Sequence, residues 1–164
     1  MPSPGPDLER PLRTAFRQSR MVAFVCGFVA PAMYLLTLGS QVLHGRWELF
    51  LGGFARLPWG DPRVPGFLGA AGLALALALG VVPRLFRPRT PEAALGALRT
   101  RNLLASGLLA ATAACGLALG VKLGPPAASL SLALCLAAMA GAWSAFPRER
   151  RWREVVAAAG RQPA

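Results

Sequence analysis

Three cysteines are the residues of this chain most able to do redox chemistry, and their spacing argues against it. Cys26, Cys115 and Cys135 each lie inside a long apolar segment, and no two of them form a CxxC pair. A disulfide-forming oxidoreductase of the membrane and a mercury carrier both need paired thiols. Single cysteines in apolar surroundings usually act as small hydrophobic residues, so we predict no thiol chemistry.

The single histidine, His44, limits haem and metal chemistry. A four-helix cytochrome of the b type holds two haems with four histidines, and this chain cannot build that site. Two interpretations remain open: a polar residue that caps a helix at the membrane interface, or one ligand of a haem completed by another chain. No set of residues has the spacing of metal ligands, and we predict no metal and no cofactor.

The apolar segments carry hydroxyl groups but no acidic or basic side chain. Ion-coupled transporters normally place an ionisable group inside the bilayer, and the membrane glutamate of small four-helix multidrug exporters has no counterpart here. The sequence also lacks a nucleophile–base pair and a phosphate-binding loop, so we predict that the chain is not an enzyme. If the chain passes a solute, the predicted lining positions are Ser106, Thr112, Ser129 and Ser131.

Charge-free windows define the elements that carry these residues. Four windows of 25, 20, 20 and 25 residues contain no Asp, Glu, Lys or Arg, and they cover residues 21–45, 64–83, 102–121 and 123–147. A helix that rises about 1.5 Å per residue needs roughly 20 residues to cross the hydrocarbon core. The sequence therefore predicts an all-α membrane protein with four transmembrane helices in a compact bundle. The predicted helices are 21–43, 65–83, 98–121 and 126–146.

Prolines refine two of these helices. Thr90 as N-cap and Pro91 at the first helical position predict that the third helix begins outside the membrane, near residue 91. Pro31 lies near the middle of the first window, where an internal proline removes a backbone hydrogen bond and interrupts regular helix.

The stretch GLALALALG, residues 72–80, alternates leucine and alanine with the period of a strand. Lipid leaves an unpaired strand edge without water, and strands of membrane barrels alternate apolar with polar residues. We therefore predict a helix. On a helix, Gly72, Ala76 and Gly80 form a strip of small residues that lets a second helix approach closely.

Two further predicted helices carry strips of small residues at the same spacing. These residues are Ala110, Ala114 and Ala118 in the third helix, and Ala133, Ala137 and Gly141 in the fourth. An alanine-rich composition produces some strips by chance, which is the alternative interpretation. Three strips in three helices favour tight helix packing.

Basic residues are distributed unevenly between the two ends of the predicted bundle. Of the 18 basic residues, 14 lie in the leader, the loop between the second and third helices, and the tail. By the positive-inside rule, both termini are predicted to be cytoplasmic. The chain then divides into a basic leader at 1–20, a membrane domain at 21–147 and a basic tail at 148–164.

The net charge of +11 raises the question of a nucleic-acid partner. The arginines occur in short runs beside apolar segments, without a nucleic-acid-binding motif, and we predict no nucleic-acid partner. The negative cytoplasmic face of a membrane attracts such segments with about 1 kcal/mol per basic residue. The predicted partners are the lipid bilayer and its anionic lipids on the cytoplasmic side.

Aromatic residues near the helix ends are candidate interface anchors, because tryptophan favours the headgroup region. Residues 46–63 form the only substantial outer segment, and we predict a short interfacial helix there, between the first and second transmembrane helices; a lid or partner-docking patch is the alternative. In the tail, RRWREVV predicts a membrane-surface helix, or alternatively a docking handle. The predicted anchors are Trp47, Phe50, Phe54, Trp59 and Trp152.

Residues 99–121, RTRNLLASGLLAATAACGLALGV, have a basic start, many small residues and a glycine-leucine step at Gly116-Leu117. This pattern resembles the third helix of small, uncharacterised bacterial four-helix membrane proteins, which is in turn similar to the proteolipid c subunit of rotary ATPases. Helices of that subunit usually carry a carboxylate about a turn and a half before the glycine, where this chain has Ala110. The resemblance therefore does not extend to proton carriage.

The preference for arginine over lysine and the abundance of Ala, Gly and Pro are typical of a GC-rich bacterial genome. We expect a multi-pass protein of the bacterial cytoplasmic (inner) membrane. The expected function is that of a noncatalytic accessory or structural subunit, with other membrane subunits or further copies of the chain as partners. The alternative is a small oligomeric channel or transporter for a neutral or weakly polar solute.

Overall fold

The computed structural model of the protein describes residues 6–44, 59–85 and 91–159 of the 164-residue chain. Helix α1 consists of Pro6–Phe24, a π-helical turn at Val25–Val29, and Ala30–Leu43. Helix α2 consists of Arg63–Ala76, a second π-helical turn at Leu77–Val81, and Val82–Leu85. The stretch GLALALALG lies within α2, which confirms the predicted helix.

The remaining helices form the second half of the chain. Helix α3 spans Pro91–Leu123, and a 3₁₀ turn at Pro125–Ala127 leads into α4, Ala128–Ala145. Gly124 joins α3 to this turn with φ 70°, a backbone conformation that favours glycine. Helix α5, Glu149–Ala159, follows after a three-residue break.

Helices α1 to α4 are each long and apolar enough to cross a membrane, as the four charge-free windows predicted. Helix α3 begins at Pro91, as its capping residues predicted, but α1 begins at Pro6 rather than at residue 21. Helix α1 is therefore about 57 Å long, well beyond a hydrocarbon core of about 30 Å. The charge-free window marked only its apolar part, because arginine is a good helix former and the leader continues the helix.

The helices pack side by side, and their buried side chains form four layers along the axis of the bundle. Taken from one end of the bundle to the other, the buried residues are Leu12, Ala94, Leu98 and Trp152; then Ala78, Leu109 and Ala142; then Ala113, Cys135 and Ala138; then Val64, Leu119, Ala127 and Leu130. Residue numbers rise through these layers along α3 and fall along α2 and α4, so sequential helices are antiparallel. Helix α3 contributes to every layer and is the central helix of the bundle. We call the end at which α3 begins the basic end.

Three glycines allow the closest helix approaches. A Cβ atom at Gly27 would lie 2.5 Å from the Cβ of Ala142, which brings α1 against α4. A Cβ at Gly116 would lie 2.9 Å from the backbone oxygen of Ser131, and one at Gly141 would lie 2.6 Å from Cδ2 of Leu109. Both glycines lie in the contact between α3 and α4, so the close packing of these two helices depends on a position without a side chain on each of them.

Each π-helical turn ends two residues before a proline. The N–H of Ala30 donates to the Val25 carbonyl and the N–H of Val82 to the Leu77 carbonyl, five residues back in both cases. A proline ring clashes with the carbonyl four residues earlier, and for Pro31 and Pro83 that carbonyl lies inside the π turn. The wider turn accommodates the ring while the helix continues to the far side of the bundle.

Candidate functional site

A cluster of buried apolar side chains, which we call the cap, covers the basic end of the bundle. It joins the first turns of α1, the first turns of α3 and the whole of α5. Its buried members are Leu12, Ala94, Leu98, Trp152, Val156 and Ala159, and Phe16 packs against them. The leader and the tail, which the sequence analysis treated as separate basic segments, therefore fold onto each other.

The cap corrects the prediction for Trp152. The sequence pattern predicted an anchor in the membrane interface, but the Trp152 side chain is only 3% exposed. Its ring meets the ring of Phe16 edge-on, with the centroids 5.6 Å apart. The apolar face of α5 is thus covered by α1 and α3 of the same chain, and Arg150 and Arg151 on its other faces are exposed.

Ion pairs hold the surface of the cap. The Arg153 guanidinium lies 2.8 Å from a carboxylate oxygen of Glu149 in its own helix and 3.9 Å from one of Glu9 in α1. Glu9 also pairs with Arg13 at 2.7 Å. Exposed pairs of this kind contribute little energy individually, but Glu9 and Arg153 link the two chain segments directly.

A short extended segment connects α4 to the cap. Phe146 has φ −59° and ψ 133°, the extended conformation that a following proline favours. The Phe146 ring packs against Phe28 with centroids 6.0 Å apart, and the Arg20 guanidinium lies over it at 5.7 Å from the centroid. These contacts with α1 fix the point at which the chain leaves α4.

This connection closes one side of a cavity of about 340 Å³ at the basic end. Its polar side is formed by Arg101 and Asn102 of α3, Arg148 of the connection and Arg151 of α5. Its apolar side is formed by the last turns of α2 and by the cap, with Ala78, Leu79, Pro83, Trp152 and Val155. We call this space the basic cavity.

The positive charges of the basic cavity are not neutralised within the described residues. The arginines that form salt bridges among the described residues are Arg13, Arg63, Arg150 and Arg153. None of these salt bridges involves Arg101, Arg148 or Arg151. Arg101 is half-buried, and the positive charge of Arg151 acts on it unfavourably. The cavity is therefore a region of positive potential with room for an anion.

A buried amide side chain, that of Asn102, also lines the basic cavity. The residue is only 6% exposed, and its Nδ2 atom has no hydrogen-bond partner among the described residues. A buried amide without a partner costs free energy of roughly 1–3 kcal/mol. Asn102 lines the basic cavity together with the arginines, and it also lines the cavity of about 10 Å³ that Ser106 lines.

The predicted packing strips lie mostly away from the contacts within the chain. Gly72 and Ala76 are exposed, Gly80 is half-buried, and no atom lies within 4 Å of a Cβ built on either glycine. The inward side of α2 consists instead of Ala71, Ala74 and Ala78. On α3 and α4 the exposed or half-buried members are Ala110, Ala114, Ala118, Ala133 and Ala137. Of the nine predicted residues, only Gly141 is buried in a helix contact.

The four predicted lining hydroxyls do not face one common space. Thr112 Oγ1 donates to the Leu108 carbonyl at 3.1 Å and lies 3.4 Å from the Ala71 carbonyl of α2. Ser131 Oγ donates at 2.9 Å to the carbonyl of Ala127, the last residue of the 3₁₀ turn before α4, beside the α3–α4 contact at Gly116. Ser106 lines a cavity of only about 10 Å³, and Ser129 is half-buried. Thr112 therefore lies in the α2–α3 contact, whereas the Ser131 hydroxyl bonds within its own segment of the chain.

The predicted outer anchors fall largely outside the described residues. Trp47, Phe50 and Phe54 lie there, together with most of the predicted interfacial helix at 46–63. Trp59 is described and is 61% exposed, in a turn just before α2.

The remaining chemistry-bearing residues are dispersed. Cys26 and Cys115 are half-buried free thiols, and the Cys135 thiol is buried and lies 3.8 Å from the Ala113 carbonyl. His44 Nδ1 lies 2.6 Å from the Ser40 carbonyl oxygen, where it acts as a donor at the end of α1. Across the described part of the chain, no three His, Cys, Asp or Glu residues come together as a metal site.

Comparison of the chain with protein-family models, with curated proteins and with solved structures found no match. Its function must therefore be argued from the geometry of its own residues.

The basic cavity was not predicted from the sequence, although the sequence contains one signal for it. Pro83, Asn102 and Pro147 are the terminal residues of three charge-free windows, and all three line the cavity. Arg101 and Arg148 are the first charges beyond two of those windows. The ends of the charge-free windows lie at the same depth when the helices are antiparallel. These residues could therefore have been predicted to lie close together before the fold was known.

Proposed function

We propose that the chain is a noncatalytic integral membrane protein that acts as an accessory or structural subunit. In this proposal both termini lie in the cytoplasm of a bacterium and the four spans cross its inner membrane. The observation that carries the proposal is an exposed face of small residues on α2. Other membrane subunits or further copies of the chain are the proposed partners.

This outer face of α2 consists of Gly66, Gly69, Gly72 and Ala76. All four residues are exposed, and no atom of the described chain lies within 4 Å of a Cβ built on any of the three glycines. The opposite side of the helix packs against α3. Helix α2 therefore has a groove of small residues, bordered by the exposed Leu73, on the side that its own bundle leaves uncovered.

Small residues on a surface that faces lipid favour the binding of a partner helix. Glycine inside a helix is less favourable than alanine by roughly 0.5–1 kcal/mol, and lipid tails gain nothing from the missing side chains. Small residues do favour association when a second helix approaches closely, because backbones then make extensive van der Waals contact. A structural or accessory subunit needs such a contact surface.

A cross-linking experiment in native membranes tests this proposal. Substitution of Gly69 and Gly72 by leucine should abolish a cross-linked species larger than the monomer, because the leucines fill the groove. The matched control is Gly107→Leu on α3, where the glycine is also exposed with no atom within 4 Å. A wild-type chain that purifies from mild detergent only as a free monomer would contradict the proposal.

A solute channel has weaker support than a subunit. Two of the candidate lining hydroxyls, Thr112 and Ser131, donate to the backbone carbonyls four residues earlier. Hydroxyls bonded in this way commonly serve helix packing. Flux of neutral solutes through liposomes that contain the purified chain would revive the channel if it exceeded flux through empty vesicles.

A further inference from the structure

We propose that the basic cavity binds the phosphate group of one anionic lipid from the leaflet at the basic end. This proposal does not depend on the subunit role, since it rests on α3, α5 and the α4–α5 connection rather than on the outer face of α2. It assigns a defined site, with a stoichiometry of one, in place of diffuse attraction between basic segments and a charged membrane.

The charge of the cavity selects an anion. Arg101, Arg148 and Arg151 line one space and form none of the salt bridges among the described residues. The acids Glu9, Asp61, Glu149 and Glu154 are each paired with other arginines. Guanidinium groups match the oxygens of a phosphate in geometry as well as charge. An anion in the cavity attracts both Arg101 and Arg151 and so offsets the repulsion between their charges.

Asn102 is an independent indication of a ligand. Its Nδ2 lacks a partner among the described residues although Asn102 is more than nine-tenths buried, and Asn102 lines the same cavity as the arginines. A phosphate oxygen accepts from an amide N–H. The buried wall of the site thus contains an amide, and its more exposed wall contains the guanidinium groups.

The depth of the cavity favours a lipid as the source of the phosphate. Pro83 ends one charge-free window, Asn102 begins another and Pro147 ends a third, so the cavity lies where the apolar part of the bundle ends. Lipid phosphates lie at this boundary. Leu79 and Pro83 are exposed on the outside of α2 and also line the cavity, which gives an acyl chain an apolar surface beside the headgroup.

Native mass spectrometry of the purified protein tests the assignment. The protein is exchanged into neutral detergent and titrated with phosphatidylglycerol or with phosphatidylcholine of the same acyl chains. We expect one phosphatidylglycerol to bind with clear preference. Arg101→Gln combined with Arg151→Gln should weaken that binding on the order of 20-fold, since each arginine near a lipid surface contributes about a factor of five.

The matched control removes the same number of positive charges, one from α3 and one from α5, at positions outside the cavity. Arg99 of α3 and Arg150 of α5 do not line the cavity, and Arg150 pairs with Glu154 at 2.9 Å. Arg99→Gln combined with Arg150→Gln should retain the bound lipid. If the cavity double variant fails to purify as a folded protein, Arg151→Gln alone should still weaken binding about fivefold.

Three outcomes would overturn the proposal. Equal binding of the two lipids would show that the cavity does not select an anion. Equal loss in the cavity and control variants would show that only net charge matters. Displacement of the lipid by millimolar inorganic phosphate would assign the cavity to a free anion instead of a lipid.

Discussion

The indole of Trp152 meets the ring of Phe16 at 78°, with 5.6 Å between their centroids. These two residues lie at opposite ends of the sequence, in segments whose composition predicted basic tails at a membrane surface. Their contact closes the cap, and the cap forms one wall of the basic cavity through Trp152 and Val155. The position of α5 therefore determines whether the cavity exists.

Truncation of Trp152 should release α5 from the bundle. Trp152→Ala removes a buried aromatic side chain, and we expect a loss of about 3 kcal/mol in the free energy that holds the cap together. Trypsin should then cleave at Arg150, Arg151 and Arg153 at least tens of times faster than in the wild type. The control is Trp143→Ala, because that side chain is 72% exposed. Equal cleavage rates for Trp152→Ala and the wild type would show that α5 is not held by this contact.

Two glycine substitutions should have different effects on thermal stability, because one glycine is in a close helix contact and the other is not. Gly116→Ala places a Cβ 2.9 Å from the Ser131 backbone oxygen, and overpacking of this kind costs about 1–3 kcal/mol. Gly72→Ala meets open space, so its stability should stay the same or rise slightly. Thermal unfolding of both variants in one detergent measures the difference. An unchanged midpoint for Gly116→Ala would mean that α3 and α4 are not in close contact at this point.

Replacement of Asn102 should separate stability from lipid binding. Asn102→Leu removes a buried donor that has no partner, so the lipid-free protein should unfold at a higher temperature. The same variant should gain less stability from added phosphatidylglycerol than the wild type does. Thermal scans with and without lipid give both quantities. A variant that is less stable without lipid would indicate that Asn102 is already satisfied inside the protein.

The proposed orientation predicts which positions a membrane-impermeant thiol reagent reaches. Gly60 precedes α2 and Gly96 lies in the exposed part of α3 near its start; no atom lies within 4 Å of a Cβ built on either residue. In a chain whose native cysteines are replaced by serine or alanine, Gly60→Cys should be labelled on intact cells. Gly96→Cys should be labelled only after the cells are opened. The reverse pattern would invert the orientation.

The sequence alone determined the number of spans and the helical class. The four charge-free windows are long enough for a bilayer, and lipid forces their backbone groups to pair within each segment. This argument needs no tertiary contact, which is why α1 to α4 could be predicted. The start of α3 was also local information, since Thr90 and Pro91 are a capping sequence.

Only the tertiary structure decided which side of each helix faces inward. Both sides of α2 are rich in small apolar residues, so hydrophobic periodicity could not distinguish Ala71 and Ala74, which are buried, from Gly72 and Ala76, which are exposed. The amphipathic face of α5 posed the same problem. A membrane surface and a folded leader both offer an apolar partner to Trp152, and the sequence does not show that Phe16 lies within reach. The basic cavity arises from that fold, because it needs residues from four segments of the chain at the same depth.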